Sequence, residues 1–276
     1  MKKVFLPALL TIALAAAMVA TLSGCAESEE LKSAKADFTA QKDRVAAQQA
    51  ELDSAIADGD ALVTTEEKVL DAELIPQLET AVSAGKAAKY EVPEMPGKLE
   101  DITAKTSELK QVDCSAEING INDAEKAVED SIAKYKLVDQ PTEAYVIQCL
   151  QTIPDIGEIG AVTEDNDPNG NLNKAGGYTA TVYFTSPLVP QEKLQYKDDS
   201  SVVGLGTDGG GGIEVYRTPE EAQKRADYLA AFDGTITASG SHKVIGTVLV
   251  RTSNYLMASQ QNALEQQIID ALTKLP

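Results

Sequence analysis

Glu164–Tyr178 reads EDNDPNGNLNKAGGY, and the architecture of the second half of the chain turns on how it is taken. Asp165, Asp167, Asn169 and Gly170 stand at positions 1, 3, 5 and 6 of an EF-hand-type loop, and the Asn171 carbonyl would supply position 7. Alternate oxygen-bearing side chains can converge on a hard cation while the glycine permits a sharp turn. Position 12, however, is Gly176, where such loops need a carboxylate. Such a loop also needs a helix on each side, and here the pattern predicts a strand after it. The same residues fill every place of a type I turn, with Asp167 first, then Pro168, Asn169 and Gly170. Glu158 to Thr163 reads as a short strand and Tyr178 to Thr185 as a second, alternating apolar and polar residues. The expectation is a connection between two strands; calcium held by Asp165, Asp167, Asn169 and Asn171 is the alternative.

Further on, Ile213 to Tyr216 predicts a third strand. Thr218-Pro219-Glu220-Glu221 starts a helix, with the cap at Thr218 and proline at the first helical position. Its core-facing residues are Ala222, Ala226, Leu229 and Phe232. Phe232 to Lys243 is a turn-rich return, and Val244 to Thr252, VIGTVLVRT, reads as one central strand. Ser259 can cap a last helix with Leu264, Ile268, Leu272 and Leu275 on one side. Before the first strand, Thr142 caps a short helix carrying Val146, Ile147 and Leu150. A strand, helix and strand in succession call for a right-handed parallel crossover, and the preceding hairpin adds antiparallel pairing. Residues 137–276 are therefore expected to form a small α+β sandwich, a mixed sheet covered by helices on one face.

Residues 25–136 read as helix. Leu31, Phe38, Val45 and Leu52 fall seven apart, but Gln41 and Gln48 interrupt the seam, so the coiled-coil character is weak. Gly59 is expected to end this helix. Thr64 and Glu67 offer a capping box for the next, whose face is Leu70, Leu74, Leu78 and Val82. Pro76 inside it should kink or divide it. Leu99, Ile102, Thr106 and Leu109 mark a third helix; Ile118, Ile121, Val128, Ile132 and Tyr135 mark a fourth. An antiparallel helical bundle or stalk is the expected packing, and a stalk suits a chain tethered at its N-terminus.

The tether is suggested by residues 1–24. Lys2 and Lys3 precede the apolar run Leu9 to Leu22, a signal-peptide layout. Leu22-Ser23-Gly24-Cys25 resembles the lipobox of bacterial lipoproteins. The resemblance implies lipidation of Cys25 as the first mature residue, and a place on the extracytoplasmic face of the cell membrane. Losing Lys2 and Lys3 with the leader takes the formal charge from −19 to −21. Such a surface repels nucleic acid and anionic headgroups, so attachment to the membrane would rest on acyl chains.

Several other features are weighed for chemistry. Cys114 and Cys149 are the two remaining cysteines; in an exported chain such a pair suggests a disulfide, the alternative being two separate buried thiols. Gly206 to Gly212, GTDGGGG, lacks the following helix and the lysine of a phosphate loop and is read as a flexible connection or a close backbone approach. His242, the only histidine, is expected in an exposed turn, and its neighbour Ser241 should point away from it. Tyr178 and Tyr183 have opposite parity, which predicts one in the core and one toward solvent.

VTEDNDPNGNLNKAGGYTATVYF, GTDGGGGIEVY, RADYLAAFDGT and the stretch from GSHKVIGTVLVRTS to the C-terminal helix together resemble an uncharacterised C-terminal domain of exported bacterial proteins, often from Gram-positive gut species. The likeness spans Pro141 to Pro276 and carries no activity with it. The functional expectation is a membrane-anchored surface lipoprotein with a non-catalytic binding domain, its partner a cell-envelope protein or glycan. A calcium-dependent surface module is the alternative, and a carboxylate-based hydrolase using Glu164, Asp165 and Asp167 is the third.

Overall fold

A computed structural model of the chain describes residues 27–195, 199–235 and 240–276; Cys25 and the leader before it lie outside the described residues. The helices α1 (Glu29–Val63), α2 (Leu74–Ala87), α3 (Leu99–Gln111), α4 (Ser115–Leu137) and α5 (Glu143–Leu150) come first. They are followed by β1 (Ile159–Ala161), β2 (Ala180–Thr185), the single turn α6 (Val202–Leu205) and β3 (Gly210–Val215). The chain ends with α7 (Pro219–Ala230), β4 (His242–Ile245), β5 (Val248–Thr252) and α8 (Ala258–Leu272). The class is α+β with a helical N-terminal region, as the periodicity predicts.

Two compact units form, one from residues up to Ala47 with Glu91–Asp113, the other from Gln48–Tyr90 with Cys114–Pro276. This division departs from the expected boundary between 136 and 137. The polypeptide just past that point is bonded to the sheet. Val138 O accepts the Thr247 N–H at 2.9 Å, and the Gln140 N–H donates to Thr247 Oγ1 at 2.6 Å. A segment held this way joins its neighbours instead of linking two domains.

In the first unit, Phe38, Val45, Ile102 and Leu109 are fully buried, which bears out the predicted faces of α1 and α3. Arg44 donates to the carbonyls of Leu109 at 2.5 Å and Val112 at 3.1 Å, satisfying the orphan acceptors at the end of α3.

In the second unit the last turns of α1 pack with α2 and α4 around Leu52, Ile56, Leu78, Val82, Ile121 and Val128. Gly59 does not end α1. It lies inside the helix, and a Cβ there would come within 2.5 Å of the Val82 side chain, so the residue serves close helix packing. Thr64 bonds back to the Asp60 and Ala61 carbonyls, so no capping box forms. Because α2 begins at Leu74, Pro76 falls in the first turn, where its missing N–H has no helical acceptor to lose.

The sheet has the order β1-β2-β3-β5-β4 and is antiparallel at every pairing, not mixed. The expected crossover fails because the single strand Val244 to Thr252 is really two. Gly246 has φ 57°, and the pairing of Ile245 with Val248 closes a two-residue hairpin around Gly246-Thr247. The extra reversal brings β5 back antiparallel to β3. Helices also cover both faces. One face, with Val182, Phe184, Ile213, Val215, Val248 and Val250, is packed by α5 and α8. The other is packed by α7 through Ala222, Ala226 and Leu229.

Local signals survive where they are short-range. Thr142 and Thr218 cap α5 and α7, each accepting an N–H at 3.2 Å. Ser259 does not cap α8; Gln260 accepts the Met257 N–H at 2.9 Å instead. Phe232 lies beyond the end of α7 and is partly exposed.

Candidate functional site

The opening stretch forms a turn that is fastened to the second face of the sheet. The Gly170 N–H donates to Asp167 O at 3.3 Å, closing the predicted β-turn. The Asp167 carboxylate accepts the N–H groups of Asn169 at 2.9 Å, Asn171 at 2.6 Å and Leu172 at 2.7 Å, as well as the Tyr178 hydroxyl. Burial alone would raise this carboxyl; the Tyr178 hydroxyl and the three N–H groups outweigh it and hold it below the usual value. The Asn169 amide donates to the Tyr183 hydroxyl at 3.2 Å. Asn171 O accepts the Lys174 N–H at 3.2 Å, and Asp165 is exposed. Of the four residues in the calcium reading, three are thus engaged in the turn itself. Among the described residues no group of three or more His, Cys, Asp or Glu is placed to hold a metal ion.

Under this turn lies a buried polar layer. Alternation along the strands puts Thr181 and Tyr183 of β2, Gly212 and Glu214 of β3, and Leu249 and Arg251 of β5 on one face. Glu214 has no exposed surface. Its Oε1 accepts Arg251 at 2.7 Å, and its Oε2 accepts the Tyr216 hydroxyl at 2.6 Å and Arg225 Nε at 3.3 Å. Burial and the Glu214 charge push the Tyr216 hydroxyl well above its ordinary pKa. Burial lowers Arg225, but the Glu214 charge outweighs it and raises the guanidinium overall. Tyr178 and Tyr216 meet edge to face, with ring centroids 6.5 Å apart. Both Tyr178 and Tyr183 are therefore buried, correcting the expectation that one faces solvent. Tyr178 precedes β2, so strand parity does not extend to it and its ring joins the cluster under α7, while the Tyr183 hydroxyl is bonded by Asn169 of the turn.

A carboxylate in the core often marks catalysis. Here both oxygens are committed to cationic or hydroxyl donors, so Glu214 acts as a fixed structural charge. The sequence carries only half of this signal: a glutamate inside Ile213 to Val215 and an arginine inside the most apolar strand are each unusual in a buried strand.

Within the glycine run, Gly206–Gly209 forms a 3-10 turn and Gly210–Gly212 opens β3, and the close backbone approach is the alternative that holds: an added Cβ would lie 2.6 Å from the Ser186 nitrogen at Gly210 and 2.4 Å from the Arg251 carbonyl oxygen at Gly211. Phe184 pairs with Gly211 and Tyr183 with Gly212, and each ring lies over its glycine, on opposite faces of the sheet. His242 sits at the start of β4, its side chain 11 % exposed, which corrects the exposed-turn expectation. Nδ1 lies 3.4 Å from Gly240 O and Nε2 3.8 Å from Asp233 Oδ2. The Ser241 hydroxyl is bonded to Thr252 Oγ1 at 2.7 Å, so it forms no pair with the histidine. His242, Asp233, Lys243 and the face of α8 carrying Asn262 and Glu265 border an open polar cavity of about 580 Å³.

Cys114 and Cys149 are not joined by the expected disulfide. Cys114 is buried in the helical cluster with Leu52 and Ile121, whereas Cys149 belongs to the cluster under the sheet. Burial pushes the Cys149 thiol above its ordinary pKa, so it is a poor nucleophile. Among the described residues no helix is long and apolar enough to cross a membrane. Comparison of the chain with protein-family models, with curated proteins and with solved structures finds no match.

Proposed function

We propose that this chain is a lipid-anchored protein of the extracytoplasmic membrane face, whose C-terminal α+β region is a binding module. The observation that carries the anchor is the sequence Leu22-Ser23-Gly24-Cys25 at the end of an apolar run led by Lys2 and Lys3. Binding is favoured over proton-transfer chemistry by the commitment of Glu214. A general acid or base must exchange its proton with substrate, and a carboxylate held by Arg251, Arg225 and Tyr216 is not poised to do so. The open polar cavity beside His242 offers a surface for a ligand.

The test is fractionation of cells expressing the full-length chain, with mass spectrometry of its first mature peptide. Expected are a membrane-bound protein and a diacylglyceryl group on Cys25. Cys25→Ala should lose this group, and any chain still cleaved should move to the soluble fraction, because two or more acyl chains are what make such attachment stable. An unmodified Cys25 in a membrane-bound wild-type protein would sink the proposal.

A further inference from the structure

We infer that Asn169 is a site of spontaneous deamidation, at which the Gly170 backbone nitrogen displaces the side-chain amide nitrogen of Asn169. The chain holds two Asn-Gly pairs, Asn119-Gly120 and Asn169-Gly170. Such pairs are reactive because glycine carries no Cβ to obstruct its nitrogen. The Gly170 nitrogen bonds to Asn169 Cγ, the Cγ–Nδ2 bond breaks, and the glycine proton passes through water to the departing nitrogen, which leaves as ammonia. Water then opens the resulting succinimide at either of its carbonyls, giving aspartate or isoaspartate. Water is the only co-reactant.

The fold decides which pair reacts. Ring closure needs the glycine nitrogen beside the asparagine Cγ, which neither helical nor turn dihedrals provide, so each pair must first open locally. Asn119 and Gly120 lie inside α4, where backbone N–H groups are held in the helical ladder. The next residue, Ile121, is fully buried in the cluster with Leu52 and Val128. Opening there breaks helix hydrogen bonds and disturbs a core side chain. Asn169 is exposed, and the Gly170 N–H makes one backbone bond, to Asp167 O at 3.3 Å. Gly170 has φ 59°, and beyond its chain neighbours an added Cβ would meet just the flexible end of Lys174, at 3.6 Å. The attacking nitrogen is therefore uncrowded. The remaining restraint is on the leaving group: Asn169 Nδ2 donates to the Tyr183 hydroxyl at 3.2 Å and the Tyr178 hydroxyl at 3.4 Å. Neither product can make these bonds, because a carboxylate has no proton to donate. Isoaspartate also lengthens the backbone of the turn by one methylene. Conversion thus releases Asn169 from the tyrosines of the sheet.

The experiment is incubation of the full-length protein, purified in detergent, at mildly alkaline pH, with peptide mapping by mass spectrometry over time. A parallel incubation in guanidinium chloride gives the unfolded reference. In the native protein Asn169 should convert about tenfold or more faster than Asn119, and in denaturant the two rates should come together. Asn169→Gln should abolish the acid product in its peptide, which also contains Asn166, Asn171 and Asn173. Native conversion at Asn169 no faster than at Asn119 overturns the inference. So does an acid product that persists in the Asn169→Gln peptide, or a rate difference that survives unfolding and so owes nothing to the fold.

Discussion

Replacing Glu214 with alanine is expected to lower the stability of the unit containing the sheet by about 3–5 kcal/mol, the loss typical when one member of a buried ion pair is removed. The reason is what stays behind. Arg251, only 6 % exposed, keeps its charge in the core between β3 and β4, and its Nε already has no hydrogen-bond partner in the protein. The Tyr216 hydroxyl and Arg225 lose the same acceptor. The chain has nine tyrosines and no tryptophan. Near-ultraviolet circular dichroism therefore reads the tyrosines around this network directly during urea unfolding. The double replacement E214M/R251M should lose less than E214A, because no charge is then stranded and two apolar side chains of fitting volume fill the space. A loss under about 1 kcal/mol for E214A would mean that Arg251 reaches water, contrary to the buried arrangement.

The second large effect is expected at Gly211. An added Cβ there would lie 2.4 Å from the Arg251 carbonyl oxygen and 2.4 Å from the Phe184 ring. The first contact is backbone of the paired strand β5, and the second is a ring with no exposed surface, so neither can give way cheaply. Overpacking of this kind costs about 1–3 kcal/mol in ordinary cores, and Gly211→Ala should fall at or above the upper end. Gly97, where nothing lies within 4 Å of an added Cβ, supplies the control: Gly97→Ala should leave the urea midpoint nearly unchanged. An equally small effect at Gly211 would contradict the pairing of β2, β3 and β5.

These two positions also show what sequence reasoning could and could not reach. The buried faces of α1, α3 and α8 follow from repeats within one element, and Phe38, Val45, Ile102, Leu109, Leu264 and Ile268 lie where the periodicity puts them. The Thr142 and Thr218 caps are equally local. The sheet was misread wherever a partner decides the outcome. Glycines 210–212 look like a loop until Phe184 and Tyr183 are laid across them, and their strand conformation is a gift of β2. Strand β4 was hidden because Gly246 looks like a weak point in one strand when it is the turn between two. The site shows the same limit. Asp167 and Asn169 are legible as turn residues, but their bonds to Tyr178 and Tyr183 are set by the sheet across the turn. Glu214 and Arg251, 37 residues apart, gain their meaning only when β3 and β5 pair.

Glu164–Tyr178 is a turn locked to the sheet by the Asp167 carboxylate. This arrangement is tested most directly by thermal unfolding of the full-length protein in millimolar calcium and again in excess chelator. A ligand of the native state must raise its stability. With the Asp167 carboxylate already accepting from Asn169, Asn171, Leu172 and Tyr178, the midpoints are predicted to coincide. A midpoint several degrees higher in calcium, lost on Asp167→Ala, would contradict the account and restore the loop to the calcium reading.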